Sequence, residues 1–359
     1  MIQYFFPLII LLLIDLVNIF FKKDNLNNNE SIDNINCNYD VDDDIDVVIT
    51  WVDSSDIFWR KQKNKFLYKK KLEKNREVIS YGNNRYSPSG IEYLELYYCV
   101  STIKKYMKWV RNIYIVTCFN QKPPFIKDFD NIIIVDHKDI IPEKYLPTFN
   151  NRVIECWLYK INGLSEKFIY FNDDMYVNQK INKNFFFKND QPIITGYKYI
   201  NYHLLLSFKF FINIFKYILP KNFITIQFAN LNNSKLINSK YFIKISHVAI
   251  PLTKTLYKDT IKKYYNEWNI TSKSKFRSSN DLRPTYFLAN FSKYFSKYGN
   301  NRFLFGKNKI LFYSSNKNIN QINESVYLFG LTQIDYNMKN KIEKWFFDKH
   351  KIKPYKICF

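Results

Sequence analysis

The chain has 359 residues and a formal charge of +22, with 47% hydrophobic and 19% aromatic residues. That apolar share excludes a disordered chain and suffices for one large domain or two small ones. The charge alone would suggest nucleic acid or an anionic membrane. It is discounted, because a chain saturated with Lys, Asn, Ile, Tyr and Phe carries the skew that an AT-rich genome imposes everywhere. Nucleic acid is not an expected partner, whereas an attraction for phosphate-bearing substrates is. The five cysteines, Cys37, Cys99, Cys118, Cys156 and Cys358, show no CxxC or Cys/His spacing, which argues against a zinc site. Cys99, Cys118 and Cys156 fall in apolar patterns and read as buried thiols, while Cys37 and Cys358 could pair in an oxidising compartment.

Residues 2–21 are almost entirely apolar and long enough to span a bilayer as a helix, although Asp15 and Asn18 oppose it. No small-residue cleavage motif follows, only Lys22-Lys23-Asp24, so an uncleaved signal anchor and a single-pass membrane placement are expected. The sequons Asn269-Ile270-Thr271 and Asn290-Phe291-Ser292 would suit a lumenal domain, of Golgi or secretory type in a eukaryote. Residues 22–44 are polar, acidic and Asn-rich and read as a flexible stalk. A folded domain is expected over 45–300, followed by a C-terminal extension over 301–359.

The folded part opens with a strand over 46–52 that ends at Asp53. Residues 56–78 are Lys-rich and predicted helical, and a polar loop with Asn83-Asn84-Arg85 follows. Over 91–110 apolar residues recur at helical spacing, with Leu94, Leu96, Val100, Ile103 and Met107 on the buried side. Residues 112–117 and 131–135 are predicted strands, 151–161 a helix, and 168–171 a fourth strand. Short continuous apolar strands between helices imply an α/β fold, a Rossmann-like, mostly parallel sheet with helices on both faces. From about 180 to 245 the chain is aromatic and Lys-rich, an insertion containing an amphipathic stretch at 202–219 that is read as a buried helix or a membrane-surface helix.

In such a sheet every strand delivers its C-terminal residues to one edge, here Asp53, Thr117, Asp136 and Asp173-Asp174. Two adjacent carboxylates repel unless something positive joins them, and a divalent cation carrying phosphates is the usual partner. A polar turn after a strand is the competing reading of Asn172-Asp173-Asp174. Neither GxGxxG nor a P-loop occurs, which argues against a dinucleotide enzyme or an NTPase.

Several long motifs in order now resemble the Stealth family of sugar-phosphate transferases: DVVITWVDSSD at 46–56, WVRNIYIVT at 109–117, VDHKDIIP at 135–142 and the block at 146–176. Ser246-His247-Val248-Ala249-Ile250-Pro251 and Lys275-Phe276-Arg277-Ser278-Ser279-Asn280-Asp281 resemble its third conserved region. The resemblance covers roughly 45–285. It implies a glycosyltransferase-type fold and transfer of a sugar-1-phosphate, such as GlcNAc-1-phosphate from UDP-GlcNAc, to a hydroxyl of an acceptor glycan, with release of a nucleoside monophosphate.

It also implies roles. Asp173 and Asp174 would hold Mg²⁺ or Mn²⁺, and His247 would be the general base. Arg277 would neutralise phosphoryl charge, or else pair with Asp281 at the surface. Glu155 would orient a base or a sugar hydroxyl, or else be a plain exposed helix residue. Asp46, Trp51 and Asp53 would line the nucleotide pocket, with core packing as the alternative for Trp51. Arg85 would contact phosphate, and Asn150 and Asn172 would brace the site. The chain departs from the family pattern at Ser101-Thr102, at Phe149-Asn150-Asn151, at Tyr159 and at Ser314-Ser315, where a fourth conserved region would carry an acid. A metal-dependent glycosyltransferase and a non-enzymatic basic binding protein are the competing functions.

Overall fold

The computed structural model describes residues 44–74, 91–198, 233, 235–237, 243–245, 247–278, 280–294, 300–303, 310–313, 319, 322, 326–331 and 339–355. The expected anchor and nearly all of the stalk, Arg85, Ser246, the stretch at 202–219, Ser314-Ser315, Cys37 and Cys358 lie outside the described residues.

The central sheet is built on β1 (Ile45–Thr50), which is buried along its whole length. β1 pairs in parallel with β2 (Ile113–Thr117) on one side and with β4 (Lys167–Asn172) on the other. β3 (Ile132–Asp136) adds in parallel outside β2. The far edge is β9 (Ile250–Thr253), antiparallel to β4, so the order is β3-β2-β1-β4-β9. Pro251 tolerates that place because an edge strand leaves one row of N–H positions unused.

Helices cover both faces, as a parallel sheet requires. After α1 (Ile57–Lys74), α2 (Ile91–Tyr106) packs its Leu94, Leu96, Val100 and Ile103 onto the face carrying Val47 and Ile49. All four side chains are buried, as is Met107 just beyond the helix, in line with the helical spacing. A single turn, α3 (His137–Ile140), follows β3. On the opposite face, α4 (Asn151–Trp157), α5 (Lys254–Lys263), α6 (Tyr265–Ser272) and α7 (Pro284–Tyr294) enclose Val48, Phe168 and Tyr170. The helix expected over 151–161 gives way at Leu158 to a 3₁₀ turn.

Small sheets flank this core. β5 (Met175–Val177) pairs with β12 (Leu328–Leu331), which pairs with β11 (Ile310–Tyr313). β6 (Phe187–Lys188), β7 (Gln191–Lys198), β8 (Ile243–Ile245) and β10 (Asn300–Phe303) form the other. α8 (Lys339–His350) closes the α2 face with Ile342 and Phe346, so these C-terminal residues share the core of the central sheet. Cys99, Cys118 and Cys156 are free and buried, as expected.

Asn290 is completely buried and its amide nitrogen donates to the Tyr286 carbonyl, while Ser292 is equally buried. The sequon at 290–292 is therefore closed to glycosylation in the folded chain. Among the described residues no helix is long and apolar enough to cross a membrane.

Candidate active site

The site grows from the register of β4 and β9. Tyr170 pairs with Ile250 in the antiparallel ladder. Three residues forward from Tyr170 and three back from Ile250 bring Asp173 and His247 opposite each other beyond the strand ends. There His247 Nε2 lies 2.9 Å from Asp174 Oδ1. Asp174 is buried, with 1% of its side chain exposed against 21% for His247, so the carboxylate sits beneath the imidazole while the ring keeps a face to solvent. Asp173 is half-buried beside it. The Asn172-Asp173-Asp174 step turns at Asp173-Asp174, and it carries the His247 contact.

Asn172 ends β4 and braces this pair. Its Oδ1 accepts a 2.6 Å hydrogen bond from the Tyr170 hydroxyl, which turns the Nδ2 end toward His247 Nε2 at 3.5 Å. Beneath it the Cys99 thiol faces the Asn172 carbonyl, and burial pushes that thiol well above its ordinary pKa.

α4 runs antiparallel to the strands, so its N-terminus faces the same edge. Asn150 caps it by accepting from the Arg152 N–H and is fully buried. One turn on, Glu155 is only 6% exposed, which removes its reading as a plain exposed helix residue. Its Oε1 accepts from Asn151 Nδ2 at 2.7 Å and lies 3.4 Å from the Tyr170 oxygen, and its Oε2 accepts from Thr285 Oγ1 at 3.0 Å. Asn151 also accepts from Arg277 Nε at 2.7 Å. One amide thus joins the guanidinium of the 274–281 loop to the buried carboxylate of α4.

That loop is held by Asp281, not by Arg277. The fully buried Asp281 accepts from Ser274 Oγ at 2.6 Å, from the Ser278 N–H at 2.7 Å and from Asn150 Nδ2 at 2.9 Å, with Arg152 Nη1 3.7 Å away. Burial raises its carboxyl above the usual range, against the pull of these donors, and lowers Arg152 to about 10. The alternative in which Arg277 pairs with Asp281 is replaced by this arrangement: Arg152 is the cation at Asp281, and half-buried Arg277 turns to Asn151.

The remaining candidates divide. Asp53 stands at the site edge just after β1, its Oδ1 accepting from the Ser55 N–H at 2.8 Å, with its backbone clasped by the Gln121 amide. Asp46 is at the other end of β1. At about 3.3 Å per residue it lies roughly 13 Å from Thr50, so it cannot line the same edge. It is fully buried and bonded to Arg111 Nε and Nη2 at 2.9 and 2.6 Å and to the N–H groups of Asn112 and Ser165. Gly163, at φ +75°, adds its carbonyl to the same guanidinium. Asp46 ties the bottom of the sheet together, which corrects the nucleotide-pocket expectation. Trp51, 4% exposed, packs in the core on the α2 face, the alternative that core packing offered to base stacking. Tyr170, Thr50, Asn151 and Thr285 were not among the expected site residues. Only Asn151 carried a signal, as a polar departure in an otherwise matched motif.

Asp173 and Asp174 are hard oxygen donors, the kind Mg²⁺ and Mn²⁺ take. Among the described residues no group of three or more His, Cys, Asp or Glu is placed to hold a metal. Two carboxylates still fit Mg²⁺, which is commonly held by one or two carboxylates with substrate phosphates and water completing the shell.

Residues 90–194, which carry most of these side chains, match the model of Stealth protein CR2, conserved region 2. The capsular polysaccharide phosphotransferase fcs1 of Haemophilus influenzae is 34% identical over 257 residues, which are 70% of this chain and 65% of that protein. The chain thus spans about 65% of the length of that relative. The capsular polysaccharide phosphotransferase WcwK of Streptococcus pneumoniae is 30% identical over 261 residues, 66% of this chain and 74% of that protein. Among solved structures, the galactosyltransferase LgtC with donor and acceptor sugar analogs covers 80% of this chain and 86% of its own at 9% identity, but its TM-score of 0.39 carries no weight here. With the match of conserved region 2 and relatives of this identity and coverage, the chain belongs to the Stealth family.

Proposed function

We propose that this chain transfers a sugar-1-phosphate from a nucleotide sugar to a hydroxyl of an acceptor glycan. The acceptor oxygen forms a bond to the phosphorus nearer the sugar, the bridging P–O bond breaks, and the nucleoside monophosphate leaves with that electron pair. The observation that carries the reading is the His247–Asp174 contact at the C-terminal edge of the sheet, beside Asp173, on the same edge as the Glu155–Asn151–Arg277 chain. The relatives' phosphotransferase names support it.

In this reading His247, the exposed member of the pair, takes the proton of the attacking hydroxyl. Arg277 offers its guanidinium to the phosphoryl oxygens, for which its planar fork is suited. Glu155 does not touch substrate; it fixes Asn151 and through it Arg277. Asp53 lies on the nucleotide side of the edge. Mg²⁺ or Mn²⁺ on Asp173 and Asp174 would neutralise the diphosphate charge. A hexosamine phosphate from UDP-GlcNAc is the first donor to try, and the apolar segment at 2–21 would keep the chain at a membrane, to be tested by carbonate extraction of expressing cells.

The test is product analysis of the purified chain with Mg²⁺ or Mn²⁺, a panel of UDP- and CMP-sugars and a capsular oligosaccharide acceptor. Nucleoside monophosphate together with a phosphodiester-linked product is the expected result. Nucleoside diphosphate with a glycoside would overturn it in favour of an ordinary glycosyltransferase.

A further inference from the structure

Tyr170 stands in the middle of the network and touches neither of the groups proposed to meet substrate. It is the fourth residue of β4 and its side chain points to the α4 face, where 2% of it is exposed. A phenol so placed needs partners for its hydroxyl. It has three, each from a different part of the site. The hydroxyl is 2.6 Å from Asn172 Oδ1, 3.0 Å from Thr50 Oγ1 and 3.4 Å from Glu155 Oε1.

One proton cannot serve three partners, and the chemistry decides where it goes. Asn172 Oδ1 is the nearest and can only accept, so the Tyr170 O–H is directed there. Thr50 can donate its own proton to the phenol oxygen. Burial, reinforced by the nearby Glu155 carboxylate, holds the phenol well above its ordinary pKa, so it is always available as a donor. The consequence falls on Asn172. An amide is two-faced, and either end fits the same space. With Oδ1 bound to Tyr170, the Nδ2 end stands 3.5 Å from His247 Nε2, the ring nitrogen that meets Asp174 at 2.9 Å. The Glu155 carboxylate, 3.4 Å from the phenol oxygen, takes its own donors from Asn151 and Thr285.

We propose that Tyr170 is a positioning residue of the phosphotransfer site: its hydroxyl holds the Asn172 amide in place beside His247. The proposal rests on the sugar-phosphate transfer reading for its kinetic consequence but not for its geometric one.

Tyr170→Phe in the full chain removes the hydroxyl and keeps the ring. Its kcat for monophosphate release is expected to fall about 10- to 100-fold with KM within about 2-fold, the signature of a group that matters beyond ground-state binding. The double variant Tyr170→Phe/Asn172→Ala should be no worse than Asn172→Ala alone, because the two residues act as one unit. A second readout is independent of activity. In the chain labelled with [¹⁵N]histidine, the His247 ring resonance, assigned by its disappearance in His247→Gln, should shift in Tyr170→Phe while those of His137 and His350 stay. Phosphotransfer by the wild type with an unchanged kcat in Tyr170→Phe, effects that multiply in the double variant, or an unmoved His247 resonance would each overturn the proposal. A wild type that releases no monophosphate sinks the reaction assigned above, and the resonance shift then decides the positioning role by itself.

Discussion

His247 and Asp174 are 73 residues apart in the chain, yet their side chains meet at 2.9 Å because β9 lies antiparallel against β4. The contact joins an accessible imidazole to a buried carboxylate. Removing either should be felt in turnover more than in folding. His247→Ala and Asp174→Asn are expected to lower monophosphate release by about 10²- to 10⁴-fold, the usual worth of a positioned proton-transfer group. Steady-state release assays with matched thermal melts check this. A variant with near-normal turnover would remove its residue from the chemistry.

Asp281 is expected to behave differently. Asp281→Ala strips the buried Arg152 of its carboxylate and leaves three donors without their acceptor. The cost should be about 3–5 kcal/mol, typical of breaking a buried pair by deleting one partner. Urea denaturation gives the figure. Because the same loop carries Arg277, turnover of the surviving folded fraction should fall as well.

Asp46→Ala tests the opposite end of the sheet. It deletes the acceptor of two guanidinium and two backbone N–H hydrogen bonds, and about 2–4 kcal/mol should be lost. Turnover per folded molecule should change little, since the residue lies at the N-terminal end of β1. A large drop in kcat with unchanged stability would return Asp46 to the active site.

Two buried histidines set an acid limit. Burial lowers His137 to about 4, and burial with Lys349 and Lys105 nearby lowers His350 to about 3. Both are neutral when folded, whereas an unfolded histidine takes its proton near pH 6.5. Their contribution is complete above about pH 6.5 and is lost as pH falls toward those lower values, reaching up to about 2 kcal/mol each by pH 5. Melting temperatures between pH 7 and 5 should fall, and His350→Gln should flatten the slope. An unchanged slope would show that His350 is not the titrating group.

Much of this was legible in the sequence because parallel strands buried on both faces read as continuous apolar runs, and those at 46–52, 112–117, 131–135 and 168–171 all became strands. β9 was not legible as a strand. Its Ile250-Pro251-Leu252-Thr253 contains a residue that argues against a central strand, and only its edge position admits it. Asp46 was misplaced because a motif lists neighbours along the chain, while an extended strand carries its first residue far from its last. Tyr170 left no trace because an aromatic residue inside an apolar strand reads as filler. The partners that give its hydroxyl meaning come from Thr50, Asn172 and Glu155, two of them on other elements.

The β4–β9 ladder has one more consequence. His247 stands between two paired strands, two residues after β8 and three before β9. The stretch between β7 and β8 can therefore change length without moving the buried acid and the open imidazole at the sheet edge, because both ends of the stretch are tied to each other by the β7–β8 pairing. Each doubling of such a connection adds only about 0.6 kcal/mol of closure entropy.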